Sequence, residues 1–451
     1  MKIIIVGCGR VGQTLAEKLN MDGNDVTVVD MQAAKVNAIT SRIDVMGVVG
    51  NGATYTTQRE AGVEHADLLI AVTDSDELNL LCCIVAKKEG SCQTIARIRN
   101  SEYSTDSAYL KEQLGLAMVI NPEYAAAEEI SRVLRFPSAV KIEPFAKGKV
   151  ELIKFKVTAP CKLIGMTVKE VVTKFRTDVL FATIERGEDA YIANGDSVFM
   201  EKDVVSIVAL TKRAKDFFEK IDYAGHSVKN ALVLGGGRIT HYLCEILEKS
   251  GISLKVIEKD LKACEELSNQ WGKVDVIHGN PADRELLLEE GIKGAGAVVA
   301  LCSLDEENIL HSLFAKDKNN AKLVTKINRI DYDSVLQRLD LDTVICPKNI
   351  TADIIMRYVR AMGNAQGSNI ENLYNIIQDK VEAAEFIVKA ESPVVGSPLS
   401  QLEFKENVLV ASILRNKTVI LPRGYDVIEE GDRVVVVTKG LALHDIADVL
   451  R

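Results

Sequence analysis

The sequence predicts an α/β protein built from two Rossmann-like, doubly wound parallel-sheet domains. Each is followed by a small α+β domain, giving the tandem order N1–C1–N2–C2. Three observations lead there. The stretch "KIIIVGCGRVGQTL" (2–15) returns as "KNALVLGGGRITHYL" (229–243). Short Val/Ile-rich runs alternate with segments of helical period through the first part of each half, the mark of βαβ units feeding a parallel sheet. The 451 residues also exceed what one core holds, and domain-size priors suggest about three to four domains.

Taken in order, residues 3–7, 26–30, 45–49, 68–72 and 94–98 read as strands, with helices at 11–22 and 32–41. The second half repeats the first at an offset near 229 residues. "VVGNGATYTTQREAGVEHADLLIAVT" (48–73) answers "VIHGNPADRELLLEEGIKGAGAVVALC" (276–302), and "MVINPEYAAAEEISRVLR" (118–135) answers "TVICPKNITADIIMRYVR" (343–360). The last part of each half turns to short β-rich runs with turn signals such as "ANGD" and "PRGYD", and one short helix near each end. The expected domains are 1–135 and 228–362 for the sheet units and 140–222 and 372–451 for the small ones. Linkers are expected at 136–149, 222–230 and 363–372.

The first repeat carries G-x-G-x-x-G at Gly7, Gly9 and Gly12, between an apolar strand and an amphipathic helix. Gly7 permits the sharp turn, Gly9 lets backbone approach a pyrophosphate, and Gly12 lets the helix pack on the strand. The amides of the turn, from Gly7 and Cys8 through Gly9, Arg10 and Val11, meet a helix N-terminus suited to an anion. Asp30 closes "DVTVVD" eighteen residues after Gly12. A carboxylate there accepts from both ribose hydroxyls and repels a 2′-phosphate, so NAD(H) or an adenine nucleotide is favoured over NADP. Asn51, Thr73 and Asp74 fall in loops at the carboxyl ends of strands, facing the same crevice. Arg97 closes its strand as a candidate phosphate partner. Glu77 and Asn79 read as helix-start residues.

The second repeat keeps Gly235, Gly236, Gly237, Arg238 and Ile239, but Thr240 replaces the third glycine. Glu258 stands for Asp30, Asn280 for Asn51, Lys326 for Arg97, and Cys302–Ser303 for Thr73–Asp74. This crevice keeps a phosphate turn and a ribose acid with a different rim. Weaker binding, a different nucleotide and no ligand are all compatible with it.

Other chemistry is poorly supported. A net charge of −9 and a pI near 5.4 argue against a general nucleic-acid binder. Nine scattered cysteines without a C-x-x-C pair read as buried thiols of a reducing compartment, and the six histidines show no metal spacing. His65 reads as structural, His311 as core or surface, and His444 stands alone. No Walker A lysine is present. No secretory leader is evident, and no apolar run reaches the roughly 18 residues of a membrane span, so a membrane role is expected to come through a partner. A dehydrogenase would need a substrate domain and an acid–base group, which the small domains do not offer.

The run "IIIVGCGRVG", "VVD", "GNG", "LLIAVTDSDELN", "ARIRN", "INPE", then the β-rich module, then the whole order again, resembles the tandem RCK (KTN) family of Trk-type potassium-uptake regulators, made of TrkA-N and TrkA-C domains. The resemblance spans essentially the whole chain. It implies a non-enzymatic, cytoplasmic subunit, peripheral on the inner face of the plasma membrane. Such a subunit assembles as a homo-oligomeric ring, a tetramer, on a membrane potassium channel or transporter and gates it through bound NAD(H) or ATP/ADP. It places ligand contacts at Gly7 to Val11, Asp30, Thr73–Asp74 and Arg97, and at Gly235 to Ile239, Glu258, Cys302–Ser303 and Lys326. Arg10 and Arg238 are expected to sense a terminal phosphate. The alternatives are an NAD-dependent oxidoreductase and a nucleotide or redox sensor of a different transporter, such as an antiporter.

Overall fold

The computed structural model describes residues 1–100, 103, 107–136, 139–145, 149–187, 189–223, 228–329, 339, 341–364, 370–377, 380–416, 418–441, 443 and 445–451. Parts of all three expected linkers, and His444, lie outside the described residues.

In the first repeat β1 (Lys2–Val6), β2 (Asp25–Asp30), β3 (Met46–Val49), β4 (Leu68–Ala71), β5 (Gln93–Arg97) and β6 (Met118–Ile120) form one parallel sheet. Its order is β3-β2-β1-β4-β5-β6. The first five strands, and α1 (Arg10–Met21) and α2 (Ala33–Thr40), fall within a residue of the bounds read from sequence, and β6 adds a strand the sequence reading did not give. The remaining helices are α3 (Tyr55–Glu60), α4 (Asp76–Glu89), α5 (Ser107–Gln113) and α6 (Pro122–Arg135). The sheet is apolar on both faces: Ile3 and Ile5 pack with Leu15, while Ile4 and Leu69 pack with Cys82 and Cys83. Strand order reverses between β1 and β4, which opens a crevice at their carboxyl ends.

The first small domain holds β7 (Ala139–Phe145), β8 (Val150–Lys156), α7 (Val168–Phe175), β9 (Leu180–Arg186), β10 (Asp189–Ile192), β11 (Val204–Ala209) and α8 (Thr211–Lys220). Its antiparallel sheet runs β10-β9-β11-β8-β7.

The second repeat follows the same plan, with β12 (Asn230–Leu234), α9 (Arg238–Leu247), β13 (Ser253–Glu258), α10 (Leu261–Gln270), β14 (Asp275–His278), α11 (Arg284–Glu289), β15 (Ala297–Ala300), α12 (Asp305–Lys318), β16 (Lys322–Lys326), β17 (Thr343–Ile345) and α13 (Pro347–Asn364). Its sheet order, β14-β13-β12-β15-β16-β17, copies the first.

The last domain has β18 (Ile370–Ile377), β19 (Val381–Ile387), β20 (Val408–Arg415), β21 (Thr418–Ile420) and β22 (Arg433–Lys439). Among its described residues the expected helices are only 3-10 turns, at Leu399–Gln401 and Ile446–Val449. The first of these has a plain cause. The run from Gly396 to Val408 is two residues shorter than its counterpart from Gly165 to Val179. It also lacks the capping box that Thr167 and Glu170 give α7.

The two repeats are interlocked. Asn121 caps α6, accepting from the Tyr124 N–H at 2.9 Å, with Pro122 in the first turn. From there α6 crosses to the other repeat. Its Ala126, Ile130, Val133 and Leu134 are buried in one core with Val233, Leu243 and Leu247. In return, Ala352, Ile355, Met356 and Val359 of α13 join the first repeat's core beside Ile3, Leu15 and Leu19. Each large apolar side chain so buried contributes about 1.5–3 kcal/mol. Polar contacts fix the register. Lys18 pairs with Asp353 at 2.5 Å, and Arg360 meets both oxygens of Asp22 at 2.6 and 2.8 Å. Tyr242 accepts from Asn121 at 2.9 Å and donates to the Arg99 carbonyl at 3.1 Å. The small domains also share a core, in which Phe145, Leu152 and Val208 meet Tyr374, Val381 and Val437.

Candidate functional site

Gly7 has φ +105°, and a Cβ there would lie 2.9 Å from the backbone of Val72 and Thr73. Only glycine allows the turn to come this close to the end of β4. At Gly12 a Cβ would stand 1.9 Å from the Gly7 carbonyl oxygen, so α1 is seated directly on the turn. A Cβ on Gly9 would meet nothing within 4 Å. That open side is where a ligand would approach the exposed N-terminus of α1. Val11 is buried in the core, and Arg10 is exposed.

Asp30 closes the turn from the other side. One carboxylate oxygen accepts the Cys8 N–H at 2.8 Å and the other the Gln32 N–H at 2.9 Å. Each oxygen keeps a lone pair for a hydroxyl, so the acid is already oriented for a sugar. Burial, with the Asp30 charge, pushes the Cys8 thiol up to about 12, so this sulfur is an inert packing group.

The second repeat reproduces the device with different side chains. Glu258 accepts the Gly236 N–H at 2.5 Å and the Asp260 N–H at 2.8 Å. Its longer side chain needs room. A Cβ on Gly236 would be 3.0 Å from Glu258 Cγ and 2.9 Å from Leu267 Cδ1. The pairs Cys8/Asp30 and Gly236/Glu258 are therefore matched sets. Gly235 (φ +108°) hugs Leu301 and Cys302 as Gly7 hugs its own loop, and Gly237 is open like Gly9. Ile239 is buried and Arg238 exposed. At Thr240 the helix start has shifted. The Gly237 carbonyl accepts from both Thr240 and His241, at 2.9 and 3.2 Å, whereas the Gly9 carbonyl accepts from Gln13 at 2.9 Å. The Thr240 hydroxyl donates to the Gly235 carbonyl at 2.6 Å.

The rims are held by residues that the sequence did not single out as positioning groups. Asn79 is fully buried in α4. Its amide accepts from the Thr73 N–H at 2.7 Å and donates to the carbonyls of Thr73 and Arg97 at 3.2 and 2.9 Å. Asn308 repeats this between Cys302 and Lys326, at 2.8, 3.0 and 2.9 Å. Asp76 and Asp305 each accept two successive backbone N–H groups after the fifth strand. Asn51 and Asn280 fold back on their own loops, accepting from Ala53 and Ala282 at 3.0 and 3.1 Å. Ser303 is exposed.

Arg97 is buried and donates to the Thr73 carbonyl. Its only described acidic contact is Asp74 at 3.3 Å, and Asp74 is almost wholly exposed. Burial, reinforced by Arg99, depresses the Arg97 guanidinium, whose Nε has no partner among the described residues. Lys326 donates to the Leu301 carbonyl at 3.0 Å and is likewise depressed by burial. Glu123 acts on both cations, and one of its own carboxylate oxygens is buried without a partner among the described residues.

The turn arginines face across the molecule. Arg238 lines a cavity of about 980 Å³ with Asp74, Ser75, Glu77 and Arg99 of the first repeat. Arg10 is in turn among the charges that depress Lys326 of the second. His65 is exposed in a 3-10 turn, and His311 is buried in α12.

The chain matches the family model for the TrkA-N domain over residues 3–122 and 231–347, and that for the TrkA-C domain over 152–222 and 383–451. It is 31% identical over 452 residues, covering 100% of both chains, to the Archaeoglobus fulgidus protein named "Trk system potassium uptake protein TrkA homolog". It is 31% identical to "Trk system potassium uptake protein TrkA" of Halomonas elongata, covering 97% of this chain and 95% of that one. The structure titled "GsuK channel bound to NAD" superposes with TM-score 0.65 at 16% identity, covering 97% of this chain and 77% of that one, and so shares the fold.

Proposed function

The chain belongs to the TrkA family of tandem TrkA-N and TrkA-C proteins, and on that premise we propose that it is the nucleotide-sensing regulatory subunit of a membrane potassium-transport system. It binds and does not turn over its ligand. NAD(H) or ATP/ADP occupies the two crevices. Gly7 to Gly12, Asp30, Thr73, Asp74 and Arg97 hold it in the first, with Asn51 shaping the rim. Gly235 to Ile239, Glu258, Cys302, Ser303 and Lys326 hold it in the second, with Asn280 in the matching place. The units carrying them are 1–135, 140–222, 228–362 and 372–451. Copies of the chain assemble as a ring, a tetramer, on the cytoplasmic side of the transport subunit.

One observation carries this reading. In both repeats an amide-oriented carboxylate lies beside an open glycine turn, with a cation that burial depresses on the same rim. A dinucleotide or nucleoside polyphosphate supplies a diol to the first and an anion to the second. Regulation is linkage: the ligand shifts the ring between shapes only by its difference in affinity for them, typically about 1–3 kcal/mol. The turn arginines lie across the interface, so the phosphate count in one crevice is read by the other repeat.

Calorimetric titration of NADH, NAD+, ATP and ADP into the intact chain tests the proposal. Binding that Asp30→Ala and Glu258→Ala weaken at separate sites supports it. No affinity for any of the four overturns it. Equal ATP and ADP affinities in Arg10→Ala, Arg238→Ala and the parent chain would remove the arginine's role alone.

A further inference from the structure

The second crevice contains a side-chain cluster with no counterpart in the first. The Cys302 sulfur, a Glu307 carboxylate oxygen and a ring nitrogen of His311 all lie within 4.8 Å of one another. Glu307 and His311 stand one turn apart on α12, hence on one face, and Cys302 sits in the loop that leads into that helix. His311 is 6% exposed, and its Nε2 has no partner among the described residues. A buried imidazole nitrogen left unpaired costs free energy unless something fills the place. At the equivalent positions, 229 residues earlier, the first repeat has Thr73, Leu78 and Cys82. The repeat that lost a rim carboxylate at Asp74 has gained a thiol and a carboxylate where the first has Thr73 and Leu78, and carries an imidazole where the first has the Cys82 thiol.

We propose that Cys302, Glu307 and His311 form a transition-metal site, of the zinc class, on the rim of the second crevice. A thiolate, an imidazole and a carboxylate are the donor types that Zn2+ takes, with a fourth position left for water or ligand. A tetrahedral site brings its ligand atoms to about 3.5 Å apart, so the cluster closes by rotamer adjustment and needs no movement of α12. The Cys302 thiol donates to the Leu234 carbonyl at 3.5 Å and is pushed up to about 11 by burial and by Glu307. Thiolate ligation displaces the proton from this sulfur. Glu258 and Lys326, the acid and the cation of this crevice, are among the charges that act on Cys302.

The site stands whether or not the crevice takes a nucleotide, and its test is separate. Co2+ titrated into the intact, reduced chain reports thiolate ligation through a sulfur-to-metal charge-transfer band and intense visible bands. Zn2+ then competes for the same site. One equivalent per chain is expected, with one proton released. The chosen variants insert the first repeat's own residues, Cys302→Thr and Glu307→Leu, so that a native-like side chain fills each place. Cys302→Thr should lose the charge-transfer band, and each variant should weaken binding by about 100-fold or more with an unchanged far-ultraviolet spectrum. His311→Cys, again the first repeat's residue, should keep a site of altered band position. Absence of a sulfur–cobalt band in the parent chain overturns the proposal. So does a band that survives both Cys302→Thr and Glu307→Leu, because it would come from other cysteines.

Discussion

The two crevices differ in a patterned way. Where the chain folds on itself they are interchangeable: Asn79 and Asn308, Asp76 and Asp305, and Gly7 and Gly235 make the same bonds in the same places. Where the chain faces the crevice they diverge, at Asp30 and Glu258, Thr73 and Cys302, and Arg97 and Lys326. Duplication preserved the frame and released the rim. Divergence also came in compensated sets, since the longer Glu258 stands opposite Gly236 and the shorter Asp30 opposite Cys8.

The most damaging test of the shared frame lies in the exchanged helices. Ile355→Asp puts an unpaired charge into the first repeat's core from the second repeat's helix. It should destabilise the chain by about 4 kcal/mol or more, and denaturant unfolding should show both repeats lost in one transition. Loss of the second repeat alone would mean that they fold separately.

A smaller effect should separate the crevices. Asp30→Ala and Glu258→Ala each remove a charged acceptor, and each should weaken nucleotide binding at its own site by about 2–3 kcal/mol, roughly 30- to 150-fold. The effect at the other site should be much the smaller in calorimetry. If both substitutions weaken the same site, the crevices are not independent receptors.

The matched sets can be broken one side at a time. Gly236→Cys, which copies the first repeat, should cost about 1–3 kcal/mol through crowding against Leu267 and Glu258. Adding Glu258→Asp should restore much of that. Equal thermal stability of the single and double variants would end the argument for compensation.

The smallest expected effect is a pH dependence. Glu129 on α6 corresponds to Ile354 on α13. Burial is the main cause that pushes its carboxyl up to about 7, with Lys141 and Arg132 opposing and Glu143 adding to the rise. The folded chain therefore holds a proton there that the unfolded chain releases near pH 4.3. That stabilisation is complete below about pH 4 and is lost as pH rises to about 7. Glu129→Gln should flatten the dependence between those limits and gain about 1–2 kcal/mol at pH 8. An unchanged pH profile by urea unfolding would show that Glu129 does not carry it.

Much of this was legible in the sequence. Strand–glycine–helix order, the acid eighteen residues on, and the duplication all follow from local rules, and the strands fell where alternation put them. The exchange of α6 and α13 was not legible. An apolar helical face states that it must be buried, and nothing in its period says against which sheet. For the same reason Arg10 and Arg238 read as partners of their own turns. Asn79 looked like a helix-start residue because its role is to bond backbone from two loops brought together only by the fold. Cys302, Glu307 and His311 match no standard metal spacing. The available signal was the contrast with Thr73, Leu78 and Cys82 at the same places in the other repeat.

Helix α6 begins at Asn121, beside the first crevice, and ends at the first small domain, yet its middle is gripped by the second repeat. Helix α13 mirrors it. Each is a lever whose fulcrum belongs to the opposite half. A tilt started by one occupant turns about the other half's core before it reaches the paired small domains. What leaves the molecule is then a single torque set by both occupants, and neither can be silenced without loosening the pivot of its neighbour.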